Sequence, residues 1–482
     1  MKYTLLSVLA VVLFSCASKG DKSESTKEIS KPNIIYILAD DLGYGDLSCY
    51  GQTKFNTPNI DKLAAAGMKF TQHYTGSAVC APSRSSLMTG QHTGHTPIRG
   101  NKELEGREGQ TPMPASSVTV AELLKDAGYV TGAFGKWGLG FIGSEGDAIN
   151  QGFDVFFGYN CQRMAHRYYP THLWSNDEKV MLEGNNWTNT VTYAPDVIQD
   201  ETLKFIEDNK DKPFFAYVPL VLPHAELISP DDSLLAKFKG KFEEVPKLVT
   251  DSYTSDYGPD INTKEYCSQE TPYAAFASMV VRMDVYTGQI MDKLEELGIA
   301  DNTIIMFASD NGPHTEGGAN PAYFNSGGGL RGVKRDLYEG GVRTPFVVSW
   351  PNKIKAGTVS DHISAFWDVL PTCADIVGVE TPKSEVDGIS FLPELLGENN
   401  QKEHEHLYWE FNTRGGRKAV RMGDWKGVLY DINSKKPRAM ELYNLAEDVA
   451  ETNNIADQHP EIIQQMKEIM EKEHVDSELF PI

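Results

Sequence analysis

Short runs of apolar residues alternate with amphipathic stretches over most of this chain. The runs 33–38 and 303–308 are apolar almost throughout, which is typical of strands buried on both faces of a parallel sheet. Two further runs, 128–134 and 213–220, have the same character. Polar residues follow soon after each run, so the strand ends are candidate functional positions.

Helical patterns lie between these runs. Apolar residues within 120–127 recur at the spacing of one helix face, and 273–297 is a long amphipathic segment closed by Gly298. This alternation predicts an α/β fold, with helices flanking a large, mostly parallel central sheet.

The last quarter of the chain has a different pattern. Residues 379–405 are typical of a connector, and Pro460 can begin a closing helix over 460–473. We therefore predict a large domain over 32–378 and a small C-terminal domain over 379–482. The predicted short strands of the small domain are 406–411, 420–422, 425–430 and 441–445.

The N-terminus has the pattern of an export signal. Lys2 precedes an apolar run over 5–14 that is too short to span a bilayer. Leu13-Phe14-Ser15-Cys16 resembles a bacterial lipobox, so we expect a lipoprotein signal peptide over 1–16, a lipid on Cys16 and a flexible tether over 17–31. The protein is then exported to the periplasm or cell surface and meets the membrane only through that lipid. A plain secretory signal is the alternative.

Charge limits the class of partner. The 482 residues include 45 Lys and Arg against 67 Asp and Glu, a net charge of −22, which argues against nucleic acid as a partner. An anionic substrate needs a local cluster of cations. None of the six cysteines forms a CxxC pair, so the cysteine pattern indicates neither zinc nor a redox motif.

Oxygen ligands follow two of the predicted strands. Asp40 and Asp41 end the first run, and Asp310 and Asn311 end the run 303–308. Carboxylate and amide oxygens suit a hard cation, Ca²⁺ or Mg²⁺. The alternative is that each Asp caps a helix or a turn.

Candidate cations follow the other strands. Lys136 and His224 come after the runs 128–134 and 213–220, and Lys334 lies in the glycine-rich loop 330–341. The glycines of that loop allow close backbone approach to a ligand. The alternatives are two solvated lysines and one structural histidine.

Cys80 lies in the pentapeptide Cys-Ala-Pro-Ser-Arg. Pro82 suits the first turn of a helix and Gly90 can end it, which places Cys80 at a helix N-terminus where an anion is favoured. The thiol could be structural or could be the nucleophile of a cysteine hydrolase. The pentapeptide also matches the signal by which sulfatases convert a cysteine into formylglycine.

Taken together, these motifs resemble the type I formylglycine-dependent sulfatases of the alkaline phosphatase superfamily. The matching stretches are 37–46, 57–64, 80–84 with 87–90, 135–137, 309–312 and the Lys334 loop. The resemblance implies a sulfuric ester hydrolase whose small C-terminal domain has an antiparallel sheet and a helix.

The resemblance also implies the roles of individual residues. Cys80 would become the formylglycine, made by a formylglycine-generating or radical maturase, and would complete a calcium shell. The shell's other ligands would be Asp40, Asp41, Asp310 and Asn311. The positions implied for sulfate binding and proton transfer are Arg84, Lys136, His224 and Lys334.

One position departs from the pattern of many relatives. Gly138 stands where those relatives have a histidine that contacts the formylglycine hydroxyl. His314 and His166 are candidate substitutes. Both are also, with Arg163, candidate substrate contacts.

The expected substrate is an O-sulfated carbohydrate of host glycans or algal polysaccharides, with sulfated galactose or N-acetylgalactosamine as the specific expectation. The alternatives are a phosphonate monoester hydrolase or phosphodiesterase of the same superfamily, and a sugar-binding lipoprotein with a decayed site.

Overall fold

Two sheets and the helices around them account for most of the regular structure. The computed structural model describes residues 31–104, 108–186, 189–246, 252–254, 262–264, 266–382 and 386–482, with backbone alone at 252–254 and 262–264. The predicted signal peptide and residues 17–30 of the predicted tether lie outside these ranges.

The strands are numbered in chain order. They are β1 (Asn33–Ala39), β2 (Met68–Tyr74), β3 (Val130–Lys136), β4 (Val155–Tyr159), β5 (His172–Ser175), β6 (Glu178–Met181), β7 (Phe214–Pro219), β8 (Ser252–Thr254), β9 (Asn262–Lys264), β10 (Thr303–Ser309), β11 (Arg343–Ser349), β12 (Thr358–Ser360), β13 (Ser364–Ala365), β14 (Leu407–Phe411), β15 (Arg417–Met422), β16 (Trp425–Tyr430) and β17 (Glu441–Asn444).

The α-helices are numbered in the same way. They are α1 (Pro58–Ala66), α2 (Cys80–Thr89), α3 (Val120–Asp126), α4 (Ala194–Asp208), α5 (Ser233–Ala236), α6 (Pro272–Glu296), α7 (Pro321–Phe324), α8 (Glu339–Val342), α9 (Val369–Val377), α10 (Leu392–Leu396) and α11 (Pro460–Lys472).

The central sheet has the order β12-β2-β11-β10-β1-β7-β3-β4-β5-β6, and β13 also pairs with β2. Its five middle strands, β10 to β4 in that order, are mutually parallel. Antiparallel pairs occur on both sides of this block. The predicted α/β class with a mostly parallel sheet is confirmed.

Side chains of the central strands alternate between two cores. In β1, Ile35 and Ile37 face the core that includes α6, whereas Ile34 and Leu38 face the core that includes α3 and α9. Because both faces are covered, every residue of β1 and β10 is buried. This explains why these strands are continuous apolar runs.

The register of the parallel strands brings their carboxyl ends together. Ala39 pairs with Ser309, and the Asp310 backbone N–H donates to the Ala39 carbonyl at 3.0 Å. On the other side of β1, the Asp40 backbone N–H donates to the Leu222 carbonyl at 3.0 Å. The polar residues that follow these strands therefore share one edge of the sheet.

The second sheet is antiparallel, with the order β14-β15-β16-β17, and α11 packs on it through Met466 and Met470. It is anchored to the rest of the protein by buried polar contacts. Trp409 Nε1–H donates to the Thr75 carbonyl at 2.8 Å, and Lys426 Nζ donates to Glu339 at 2.8 Å. The predicted small antiparallel sheet with a helix is therefore present.

The structure contains elements that the sequence analysis did not predict. The predicted connector 379–405 includes the short helix α10, which has Pro393 in its first turn. The strands β2, β4 to β6, β8, β9 and β11 to β13 were not predicted, because most of them are short or have mixed polar sequences without a clean alternation.

Two general properties complete the description. No helix among the described residues is long and apolar enough to cross a membrane. No disulfide joins the five described cysteines, which are Cys49, Cys80, Cys161, Cys267 and Cys373.

Candidate active site

Cys80 is the first residue of α2, and its side chain is buried beside two carboxylates. Its Sγ lies 3.4 Å from Asp40 Oδ1 and 4.0 Å from Asp41 Oδ1. Burial, together with the negative charges of Asp310 and Asp40, raises the pKa of this thiol. A cysteine hydrolase needs a thiolate, so this environment argues against a cysteine nucleophile.

Three carboxylates and an amide converge from the ends of β1 and β10. The Asp41 backbone N–H donates to Asp310 Oδ1 at 3.1 Å, and Asn311 Nδ2 donates to Asp41 Oδ1 at 2.7 Å. Asp40, Asp41, Asp310 and Asn311 are all fully buried. Asp41 has a φ of 67°, an unfavourable conformation for a residue with a Cβ, as is found where a functional side chain must be held in one direction.

Three cations neutralise this group. Arg84 on α2 donates from Nε and Nη2 to Asp310 Oδ2 at 3.1 and 2.7 Å. Lys136, at the end of β3, donates to Asp40 Oδ2 at 2.6 Å, and Lys334 donates to Asp41 Oδ2 at 2.8 Å.

The buried charges shift each other's pKa values. Burial alone would raise the pKa of Asp40, but the charges of Lys136 and Arg84 hold it well below its usual value. Burial and the neighbouring negative charge of Asp40 raise the pKa of Asp310 to about 6. These carboxylates are therefore crowded in spite of the three cations.

His224 and Lys334 form a pair beside Asp41. Lys334 Nζ lies 2.9 Å from His224 Nε2, and His224 Nδ1 contacts the Ala225 carbonyl. This arrangement makes Nδ1 the protonated nitrogen and Nε2 the acceptor of a lysine N–H. Burial and the Lys334 charge lower the pKa of His224, so the imidazole is neutral here.

The glycines near Lys334 allow close approach to backbone rather than to a ligand. A Cβ on Gly312 would lie 1.9 Å from the Gly340 carbonyl oxygen, and one on Gly341 would lie 1.9 Å from the Asp336 carbonyl oxygen. The Lys334 backbone N–H donates to the Pro313 carbonyl at 2.8 Å. The loop is thus locked against the Asp310 loop, which fixes the Lys334 side chain.

The residues fit a hard divalent cation. Asn311 Oδ1 is buried and has no hydrogen-bond partner among the described residues, so it is an oxygen donor free to bind a metal. Asp40 and Asp41 offer carboxylate oxygens at this place, and together with Cys80 and His224 they present candidate ligand atoms within 4.8 Å of one another. Oxygen donors favour Ca²⁺ or Mg²⁺ over metals that prefer sulfur.

Two of the candidate substrate residues join the site through His224. The His166 ring stacks on the His224 ring at 4.3 Å with an interplanar angle of 5°, and the His314 ring lies on it at 5.6 Å with an angle of 17°. His314 Nε2 donates to the Pro223 carbonyl at 3.2 Å. Arg163 is engaged differently, in an ion pair with Glu103.

Sequence reasoning missed several residues that support the site. The Asn101 side chain accepts the Ala81 backbone N–H at 3.0 Å, and Ser309 Oγ accepts the Leu42 backbone N–H at 2.9 Å. Glu316 pairs with Arg335 and lies 3.6 Å from His314 Nδ1. Ser309 lies in the matching stretch 309–312 but was given no role there, whereas neither Asn101 nor Glu316 lies in a stretch that the sequence analysis identified.

The arrangement is that of a metal-dependent hydrolase for anionic esters: a helix N-terminus, a cluster of oxygen ligands and three buried cations meet at one sheet edge. Comparison with known proteins gives the family. Residues 32–379 match the family described as Sulfatase, and residues 332–476 match the C-terminal family of N-sulphoglucosamine sulphohydrolase. The chain belongs to the sulfatase family of the alkaline phosphatase superfamily, and its named sulfatase relatives identify it as a sulfuric ester hydrolase.

Individual relatives agree with this family. The chain is 30% identical to an N-acetylgalactosamine-6-O-sulfatase of Bacteroides thetaiotaomicron, over 95% of this chain and 96% of the relative. It is also 30% identical to an arylsulfatase of Hemicentrotus pulcherrimus, over 88% of this chain and 71% of the relative.

Solved structures give the same fold. The crystal structure of Ps i-CgsB matches with a TM-score of 0.75 and 27% identity, over 92% of both chains. That protein has also been solved in complex with k-i-k-neocarrahexaose. A phosphonate monoester hydrolase of Agrobacterium radiobacter shares the fold, with a TM-score of 0.64 at 19% identity over 92% of this chain and 95% of that chain.

Proposed function

We propose that this protein is a formylglycine- and calcium-dependent O-sulfatase of carbohydrates. The observation that carries the proposal is the buried contact of Cys80, at the start of α2, with Asp40 and Asp41. A side chain at that position can attack an ester that is held by the cations of the same site. Relatives named for sulfated sugars support the choice of a carbohydrate.

The implied groups would be held by residues of this chain. Asp40, Asp41, Asp310 and Asn311 would ligate calcium, and Cys80 would be converted into formylglycine by a maturase. Calcium would supply Lewis-acid stabilisation of negative charge, and formylglycine would supply two hydroxyls on one carbon, one to act as the nucleophile and the other to lose a proton as the C–O bond to sulfate breaks and the aldehyde returns.

The chain's own cations bind and orient the sulfate. Arg84 and Lys136 are fixed by Asp310 and Asp40, so their positive charges need not reorganise as negative charge spreads over the sulfate oxygens. The Lys334–His224 pair can donate a proton to the leaving oxygen of the sugar, which then departs as a hydroxyl group. Since His224 Nε2 accepts from Lys334, that proton comes from the lysine or passes through the histidine.

For substrate, we propose sulfated galactose or N-acetylgalactosamine. His166 and His314 each stack on the His224 ring, and we propose that they and Arg163 contact the sugar. For location, we propose export to the periplasm or cell surface with a lipid on Cys16. Mass spectrometry of the mature N-terminus from the native host tests the lipid.

The test is sulfate release from a panel of sulfated galactose, N-acetylgalactosamine and glucosamine sugars by matured protein with Ca²⁺. We expect turnover of at least one sugar, and none by the Cys80→Ala variant or after chelation of the metal. Sulfate release from no sugar rejects the proposal. Faster cleavage of phosphonate or phosphate diesters than of sulfate esters favours the phosphonate hydrolase. Sugar binding without turnover by fully matured protein indicates a decayed site.

A further inference from the structure

Gly138 leaves a space at the end of β3, and another side chain fills it. A Cβ built on Gly138 would lie 2.1 Å from Gln162 Nε2 and 2.9 Å from Gln162 Cδ. The carboxamide of Gln162 therefore occupies the position where a side chain at residue 138 would begin. Gly138 itself has a φ of 76°, which favours glycine there.

The side-chain amide of Gln162 is buried without a hydrogen bond to any described residue. The residue is 1% exposed, and neither Nε2 nor Oε1 has a hydrogen-bond partner among the described residues. Burying an amide without a partner is unfavourable, and such a group in a native protein calls for an explanation.

The neighbouring residues hold this amide in place without satisfying it. The Gln162 backbone N–H donates to Gln110 Oε1 at 2.7 Å, and the Gly138 backbone N–H donates to the Asn160 carbonyl at 3.2 Å. Gln110 Nε2 and Asn160 Oδ1 are also buried without a partner in the described part of the chain. The residues whose side chain or backbone contacts Gln162 and Gly138 thus also carry buried polar atoms without a described partner.

That place is at the catalytic edge of the sheet. Gln162 follows β4 as Lys136 ends β3, and these parallel strands align Lys136 with Tyr159. Lys136 in turn binds Asp40, and its backbone carbonyl accepts from Arg84 Nη1 at 2.6 Å. The Gln162 amide thus lies beside Gly138, which follows Lys136, a cation of the anion site, by two residues in the chain.

We propose that Gln162 is a substrate-positioning residue whose amide N–H binds an oxygen of the sulfate group. This inference rests on the proposed function, because it assigns the ligand of the same site. A neutral donor suits this place, since the nearby Lys136 and Arg84 charges are already balanced by Asp40 and Asp310. The amide also explains how the site remains complete with glycine at position 138.

The test compares Gln162→Met, Gln162→Glu and the wild type. Methionine preserves the volume and removes the amide, whereas glutamate places a negative charge beside the sulfate. Gln199→Met is the matched control, because Gln199 is equally buried but donates to the Tyr286 carbonyl at 3.1 Å, at the contact of α4 with α6.

Two quantities are measured. The first is the affinity of inorganic sulfate for the calcium-loaded protein with unmodified Cys80, by calorimetry. The second is kcat and KM on a sulfated sugar, normalised to formylglycine content. We expect the Gln162→Met variant to lose about tenfold to a hundredfold in both sulfate affinity and kcat/KM, with a melting temperature at or above that of the wild type. The Gln162→Glu variant should lose more, and Gln199→Met should lose thermal stability but keep sulfate affinity.

Equal sulfate affinity of the wild type and Gln162→Met overturns the inference, as does a wild type that binds no sulfate. A loss of activity in the Gln162→Met variant that is accounted for by a lower melting temperature also overturns the inference. If no sulfated sugar is turned over by the wild type, the proposed function fails, and the sulfate-binding comparison still decides the role of Gln162.

Discussion

Single residues at this site behave unlike their free counterparts because they are buried together. Lys136 is 0% exposed and Lys334 is 3% exposed, although lysine is nearly always solvated. Each is matched to one carboxylate, so removal of either partner leaves an uncompensated buried charge. Because of this pairing, the effect of replacing one residue of the site depends on the partner that remains.

Lys334 and His224 should act as one unit. We expect Lys334→Ala and His224→Ala each to lower kcat/KM on the order of a hundredfold, because both disturb the same proton path. The double variant should be no worse than the more severe single variant by more than about threefold. Steady-state kinetics, normalised to formylglycine content, measures these values.

A surface lysine provides the control for this cycle. Lys353 contacts the Trp350 ring at 5.9 Å, and Lys353→Ala should leave kcat/KM unchanged. Multiplicative losses in the Lys334 and His224 double variant would show that the two residues act independently.

At the scale of elements, four of the five central parallel strands were predictable, whereas β4 and the outer strands were not. The parallel strands β1, β7 and β10 are buried on both faces, so their sequences are unbroken apolar runs, and the helix α6 was predicted to within a residue at each end. The edge strand β6 is exposed at every residue except the half-buried Val180, and no apolar pattern marks it.

The site was predictable in the same uneven way. Polar residues that directly follow buried strands, such as Asp40 and Asp310, can be recognised as candidate site residues from their position in the chain. Gln162 does not, because its relevance depends on a glycine 24 positions earlier that lies beside it only in the folded sheet. The pairing of Lys334 with His224 likewise depends on tertiary contacts between two loops.

The helix that carries Cys80 depends on its terminal glycine. Gly90 ends α2 with a φ of 69°, and a Cβ there would lie 3.0 Å from Val386 Cγ1 and 3.2 Å from Leu370 Cβ. Gly298 follows α6 with the same φ of 69°, but a Cβ there would meet nothing within 4 Å. The two sites therefore separate backbone strain from crowding.

We expect Gly298→Ala to lower the free energy of unfolding by about 1 kcal/mol through strain alone. Gly90→Ala should add the cost of overpacking, roughly 1–3 kcal/mol more. Urea unfolding of both variants measures the difference, and equal losses would mean that Val386 and Leu370 move aside freely.

At the scale of the whole molecule, the metal site should contribute to stability as well as to chemistry. The three crowded carboxylates of the site oppose folding when no metal ion is bound. A ligand that binds only the native state stabilises that state. Raising Ca²⁺ from none to 100 times its dissociation constant should add about 2.7 kcal/mol. Thermal unfolding across a calcium titration measures this effect.

The Asp41→Asn variant should show a smaller rise in melting temperature across the same titration, since it loses one negative ligand. Asp211→Asn, which changes an exposed acid, should respond to calcium as the wild type does. If Asp41→Asn responds in full, calcium binds elsewhere.

A histidine cluster joins the loop after α2 to the end of α11, and it should make stability depend on pH. His95 Nδ1 lies 2.8 Å from Asp387 Oδ1, and His92 Nε2 lies 3.3 Å from Glu473 Oε2. The hydrogen bond with Asp387 raises the pKa of His95, against burial and the charge of Arg99, and the hydrogen bond with His92 lowers the pKa of Glu473.

The two shifts bound a pH window. The raised pKa of His95 contributes stability that is complete below its unfolded value of about 6.5 and is lost as pH rises through the folded value. The lowered pKa of Glu473 contributes stability that is present above about pH 4.5 and is lost on further acidification. The cluster therefore stabilises the protein most between about pH 4.5 and 6.5.

The His95→Gln variant keeps a side chain that can donate to Asp387 but cannot gain a charge. We expect it to lose less stability than the wild type between pH 6 and pH 8.5, when both are unfolded in urea at fixed salt and calcium. His459→Gln, next to the Trp425 ring at the start of α11, should follow the wild type, because His459 lies outside the cluster. Identical pH dependence of the wild type and His95→Gln would mean that the bond between His95 and Asp387 carries no charge in the folded protein, and that the link to α11 rests on neutral hydrogen bonds and packing alone.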